Sequence, residues 1–133
     1  MENEEADMNK QNRGACMCRL VQFSFTDAPR FVADCVCEYC RKAHGATAVC
    51  WVGVKTEQFN LDAGKSALKW YQSSQDSERG FCVECGTRIF FRSSRWPGEI
   101  HLALACFDTP HDLVATTVSF KEELPAWTAL TVR

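Results

Sequence analysis

Seven of the nine cysteines fall into three tight groups, Cys16-Met17-Cys18, Cys35-Val36-Cys37-Glu38-Tyr39-Cys40 and Cys82-Val83-Glu84-Cys85. Thiols at such spacings are metal half-sites, and half-sites far apart in a chain must meet in space to be completed, which constrains the fold more than any other feature. In a strand, residues two apart face the same way, so Cys16 and Cys18 are expected to point at one ion, as are Cys35 and Cys37. In a C-x-x-C turn the two sulfurs converge, and Gly86 directly after Cys85 suits the positive φ of such a knuckle. Cys16, Cys18, Cys82 and Cys85 thus make one tetrahedral zinc set that clips distant segments together. Four thiolates leave the ion no vacancy and little Lewis acidity, so this zinc is expected to be structural.

Cys35, Cys37 and Cys40 form a second set, one ligand short of a closed shell. Three protein ligands and an exchangeable fourth position is the arrangement of a catalytic zinc, where an incoming thiol is held as a thiolate. A thiolate held beside an aldehyde attacks its carbon and gives a hemithioacetal. A closed site is the alternative: His44, four residues after Cys40, can reach the same ion from a short helix, and Cys50 or Cys106 can do likewise. Spacing alone leaves both readings open.

The 133 residues, 46% of them hydrophobic, suit one domain with a single core. Net charge is -2, and no run of Lys or Arg forms the basic stripe that nucleic acid or an anionic membrane requires, so neither partner is expected. Residues 1–12 are acidic and polar and read as a disordered tail, leaving 13–133 as the zinc-binding domain. The start lacks the basic and apolar stretches of a secretion signal, and no segment is apolar for long enough to span a bilayer. A cytoplasmic or nuclear address is expected, where clustered cysteines are metal ligands or reactive thiols before they are disulfides.

Periodicity along the chain is mostly that of strands. Val21, Phe23 and Phe25 alternate with polar residues, with the C-x-C pair at the strand's entrance; Phe31, Ala33 and Cys35 alternate into the second thiol group. Residues 38–44 suit one or two helical turns stopped by Gly45, and 47–54 a buried strand. Residues 61–65 read as a turn, 67–71 as a strand, and 73–77 as an exposed polar loop. Strands are expected at 88–92 and 99–107, a last one at 113–120, and 122–127 as a tail folded back on the body.

Among the remaining candidates, Arg41 has a guanidinium fork for a substrate carboxylate but equally suits neutralising the thiolates from behind. Glu99 and His101 share a strand face and are candidates for proton donor or acceptor, with a solvated strand face as the commoner role. Cys50 and Cys106 read as core residues. Trp51, Trp70, Phe90, Phe91 and Trp96 are candidates for pocket walls, with core as the commoner role, and Asp108 for a turn.

The order Gly14-x-Cys16-x-Cys18, Cys35-x-Cys37-x-x-Cys40-Arg41 and Phe81-Cys82-x-x-Cys85-Gly86-Thr87 resembles the glutathione-dependent formaldehyde-activating enzyme family, which includes the centromere protein V type. The resemblance implies a mainly β, Mss4-like (β-tent) fold of packed antiparallel sheets with short helical turns, held together by a structural zinc. It implies two zinc ions per chain, the structural one on Cys16, Cys18, Cys82 and Cys85 and the catalytic one on Cys35, Cys37 and Cys40, which favours the open reading over His44. It further implies a carbon-sulfur lyase that joins a small thiol, with glutathione as co-substrate, to an aldehyde such as formaldehyde. The competing expectation is a non-enzymatic zinc module that binds a protein partner. Two departures stand out: Arg19 follows the first C-x-C where the family commonly has Gly, and Val36 sits where it commonly has His.

Overall fold

The computed structural model describes residues 11–132. Ten strands and one helix follow in order: β1 Gln11–Ala15, β2 Gln22–Thr26, β3 Phe31–Cys35, α1 Glu38–His44, β4 Val49–Lys55, β5 Phe59–Ala63, β6 Leu68–Ser74, β7 Ser77–Cys82, β8 Arg88–Ser93, β9 Glu99–Ala103 and β10 Thr117–Ser119. A three-stranded sheet runs β1-β2-β5 and a seven-stranded sheet runs β10-β3-β4-β9-β8-β7-β6. The pairs are antiparallel except β10 with β3, which is parallel. The mainly β, Mss4-like expectation stands, with that one parallel edge as a departure from an antiparallel arrangement.

Side chains alternate across a strand, so the large sheet has two faces with different tasks. On one face Val32, Val52, Leu102 and Phe90 stand directly opposite one another across four strands. They belong to the main core together with Phe23 and Phe25 of the small sheet, both 0% exposed. Each such phenylalanine stabilises the fold by roughly 1.5–3 kcal/mol through burial alone. Phe23 meets Phe90 and Phe107 edge to face, both at 5.2 Å. On the other face the register aligns Phe31, Gly53, His101, Phe91 and Arg79 across five strands. Trp51 lies in the next row, paired with Ala33 and Ala103. This second face carries the smaller cluster that includes Cys35 and Cys40.

Several local expectations are corrected. Among the described residues Gln11 already pairs with Thr26, so β1 includes part of the segment read as tail; residues 1–10 lie outside the described residues. Cys16 and Cys18 do not lie in a strand: Cys16 N–H donates to Val21 O at 3.0 Å and Arg19 N–H to Cys16 O at 2.9 Å, closing a knuckle between β1 and β2. Of residues 73–77 only Gln75 and Asp76, both exposed as read, form the turn joining β6 to β7; Ser73 and Ser74 end β6, and Ser77 opens β7, buried with its hydroxyl 3.0 Å from that of Ser93. β4 starts at Val49, two residues later than read. The stretch 61–65 is mostly the end of β5, a strand that periodicity did not reveal. β9 stops at Ala103 because a single 3-10 turn, Leu104–Cys106, takes over. The last strand shrinks from 113–120 to Thr117–Ser119. Beyond it the chain does fold back, with Glu123 Oε1 accepting the Glu38 N–H at 3.0 Å.

Candidate metal centres and the cavity between them and the sheet

The first thiol set is assembled by two hairpin knuckles. The sulfurs of Cys16, Cys18, Cys82 and Cys85 all lie within 4.8 Å of one another. Cys16 to Cys18 is 3.6 Å and Cys18 to Cys82 is 3.8 Å, although the latter two are 64 positions apart. A tetrahedron of sulfurs about 2.3 Å from zinc has edges of roughly 3.8 Å, so this donor set fits zinc. Backbone geometry holds it: Val21 N–H donates to Cys16 Sγ at 3.4 Å, and Gly86, at φ 78°, donates its N–H to Cys82 O at 2.8 Å. The Thr87 hydroxyl ties the knuckles together, accepting Met17 N–H at 3.1 Å and lying 3.1 Å from Cys85 Sγ. That hydroxyl, foremost, draws the Cys85 thiol down to about 5.

The second set is built differently from the strand geometry expected. Cys35 ends β3, Cys37 is the N-cap of α1, and Cys40 lies in the first turn of that helix, donating its N–H to Cys37 Sγ at 3.4 Å. The helix cap, not strand alternation, turns Cys37 back towards Cys35. These three sulfurs also lie within 4.8 Å of one another, a donor set that fits zinc with three ligands. Thiol contacts from Cys35 and Cys37, with the Arg79 guanidinium beside it, pull Cys40 down to about 2, while contacts from Cys37 and Cys40, and burial, push Cys35 up.

None of the proposed fourth ligands joins this set among the described residues. His44 turns its ring edge-on to Trp51 at 5.3 Å, and its Nε2 is buried without a hydrogen-bond partner. Burial pushes that imidazole from 6.5 down to about 4. Cys50 lies opposite Asp34 and packs against the main core, and Cys106 packs between the two cores. Burial pushes their thiols up to about 12 and about 11. Both are core residues, as read.

A cavity of about 710 Å³ opens over Cys35, Cys37 and Cys40. Trp51, Phe91 and Trp96 line it in a chain of ring contacts at 5.9 and 6.0 Å. Trp70 and Phe90, by contrast, belong to the main core. Arg41 does not line the cavity. Its Nε–H donates to Val36 O at 2.9 Å and its Nη2 to Glu123 O at 3.3 Å, so it braces the ligand loop against the C-terminal segment and does not present a fork to a substrate. Asp108 pairs with Arg19 at 3.1 Å on the surface.

One residue here escaped the sequence, and another was read with the wrong exposure. Arg79, 4% exposed, places both Nη1 and Nη2 3.7 Å from Cys40 Sγ, donates Nε–H to Ser73 Oγ at 3.2 Å and lies 4.8 Å over the Phe91 ring. A single arginine between Glu78 and Gly80 has no spacing signature; only pairing with Phe91 brings it to the thiols. His101, read as solvated, is 6% exposed and lines the cavity, its Nε2 3.0 Å from Glu99 Oε1.

A family model described as glutathione-dependent formaldehyde-activating enzyme matches residues 11–123. A crystal structure of a Rhodobacter sphaeroides protein superposes with a TM-score of 0.64 at 20% sequence identity, over 80% of this chain and 99% of that one. At that identity the likeness concerns the fold. No curated protein matches the chain significantly. Among the described residues, no helix is long and apolar enough to cross a membrane.

Proposed function

The chain belongs to the glutathione-dependent formaldehyde-activating enzyme family, and from that premise we propose that it is a zinc-dependent carbon-sulfur lyase joining a small thiol to an aldehyde, or cleaving the adduct. The observation that carries this reading is the set of three sulfurs, with no fourth protein donor among the described residues, on the floor of a cavity. A closed structural site needs no such access.

In this reading Cys16, Cys18, Cys82 and Cys85 hold a structural zinc, and Cys35, Cys37 and Cys40 hold the second, which when bound supplies an open coordination position and a lowered thiol pKa. The chain's own residues do the rest. Arg79 places a fixed cation beside Cys40, offsetting negative charge that accumulates when a further thiolate enters. Trp51 and Phe91 exclude water from that side, which strengthens the field of the guanidinium. The thiol gives up its proton, a carbon-sulfur bond forms as the carbonyl π pair moves to oxygen, and the oxygen takes a proton. The reverse sequence cleaves the adduct. Glutathione and formaldehyde are the pair the family description supports.

Protein carrying two zincs is expected to turn over formaldehyde in the presence of glutathione, and Cys37→Ser to abolish turnover with the fold intact. Inertness across a panel of thiols and aldehydes, or a second zinc with four protein ligands by X-ray absorption, overturns the reading. In that case pull-down by wild type and the Cys37→Ser protein alike favours a protein-binding zinc module.

A further inference from the structure

The cavity extends far beyond the thiols, and its other end is built around His101. Glu99 Oε1 lies 3.0 Å from His101 Nε2, and Glu99 Oε2 lies 3.0 Å from Arg30 Nε. A carboxylate held by a guanidinium is ionised and can only accept, so Nε2 carries the proton of a neutral ring. Burial pushes the imidazole below its ordinary range despite the opposing pull of Glu99, which keeps it neutral. Nδ1 is then a lone-pair acceptor. No described residue hydrogen-bonds it, and the one fully buried side-chain nitrogen or oxygen without a partner among the described residues is His44 Nε2, so Nδ1 meets the open cavity.

Aromatic rings enclose that acceptor. Phe31 meets the imidazole edge-on at 4.9 Å, Phe91 lies tilted at 5.6 Å and Trp96 at 5.7 Å. Gly53 makes the arrangement fit, since a Cβ there would fall 2.0 Å from the Phe31 ring. A slot of aromatic walls with one acceptor recognises a flat group that carries a hydrogen-bond donor.

Sheet register separates His101 from the thiols. Cys35 pairs with Val49, four residues before Gly53, which pairs with His101 one strand further on. At about 3.3 Å per residue and about 4.8 Å per strand the two backbones are roughly 16 Å apart. That separation sets the His101 backbone well along the cavity from Cys35. His101 meets the far end of a longer ligand.

Resting on the lyase reading, we infer that the preferred aldehyde carries a planar aromatic ring with an O–H or N–H donor, the ring seated against Phe31, Phe91 and Trp96 and the donor on His101 Nδ1. Formaldehyde uses none of this end of the cavity.

The test is calorimetric binding of two unreactive probes to the zinc-loaded full chain, 4-hydroxybenzyl alcohol and 4-methoxybenzyl alcohol. They share the ring, and only the first has the phenolic donor. Wild type is expected to bind the hydroxyl probe about five- to tenfold more tightly, and His101→Phe to erase the difference. Glu99→Gln supplies a second readout that keeps the imidazole in place: an amide can donate to Nε2, so Nδ1 is free to carry the proton and the preference narrows or inverts. Equal affinities in wild type, or a preference that survives both variants, overturns the inference. Probe discrimination without turnover of any aldehyde defeats the lyase reading and leaves the slot standing; formaldehyde turnover without discrimination does the reverse.

Discussion

Arg79 directs both of its terminal nitrogens at one sulfur, with Nη1 and Nη2 each 3.7 Å from Cys40 Sγ. The guanidinium is held by the Ser73 hydroxyl and the Phe91 ring with its charge facing the thiols. A buried cation so placed stabilises the ionised form of the ligand it touches and, through it, whatever the three sulfurs hold.

Arg79→Met is therefore expected to weaken zinc at the Cys35, Cys37 and Cys40 site by about 10- to 100-fold, the usual cost of losing an outer partner of a metal ligand. Arg79→Lys retains the charge without the two-pronged contact and should fall between. Chelator competition, with zinc counted per chain, measures both. Unchanged affinity in Arg79→Met would remove Arg79 from the account.

The two thiol sets should fail in different ways. Cys82 is fully buried and joins the β7–β8 knuckle to the β1–β2 knuckle, so Cys82→Ser removes a long-range clip as well as a ligand. Metal binding to such a site is itself folding free energy, and the loss is expected to reach several kcal/mol. Cys37 caps one short helix, and Cys37→Ser keeps an oxygen able to accept the Cys40 N–H. Thermal melts should show a Tm drop of at least about 10 °C for Cys82→Ser in a chain of this size and little change for Cys37→Ser. Equal losses would mean that both sites are structural.

His44 gives a pH signature. Its folded-state pKa, about 4, lies below the ordinary 6.5 because the ring is buried and faces the positive field of Arg79 and Arg88. As pH falls through 6.5 the unfolded chain takes up a proton that the folded chain refuses. The stability this neutral group contributes is whole above about 6.5 and is lost progressively down to about 4. With a discount for the partly exposed ring, the loss is on the order of 2 kcal/mol. His44→Phe keeps the edge contact with Trp51, removes the unpartnered nitrogen and should abolish this share of the acid slope in denaturant titrations at pH 7, 5.5 and 4.5. Both zincs should remain in the variant; loss of the second would make His44 a ligand after all.

Gly53→Ala tests the packing of the cavity face. The new methyl group would strike the Phe31 ring, which already fills the space beside His101. Overpacking of this kind costs about 1–3 kcal/mol, and the Phe31 ring must swing away from the imidazole. A variant as stable as wild type, with the Phe31 ring resonances unshifted by NMR, would show that the site has more room than the register implies.

What the cysteine spacing determined by itself was which thiols belong together. A C-x-C and a C-x-x-C pair are local devices whose ligand geometry is set within a few residues, so both sets could be read before any fold was known, and several strands followed from period-two alternation of residues such as Phe23, Phe25 and Leu102. Local backbone detail was less legible: Cys37 converges on Cys35 through a helix cap, and Cys16 on Cys18 through a knuckle, although both looked like strand alternation. The cavity was decided by tertiary structure alone. Arg79, Phe91, His101, Gly53 and Phe31 come from five strands of one sheet and share a face only through cross-strand register. Register depends on the whole sheet and leaves no spacing pattern in the chain, which is why a buried arginine on Cys40 and a buried imidazole in an aromatic slot looked, in the sequence, like one unremarked charge and one solvated strand face.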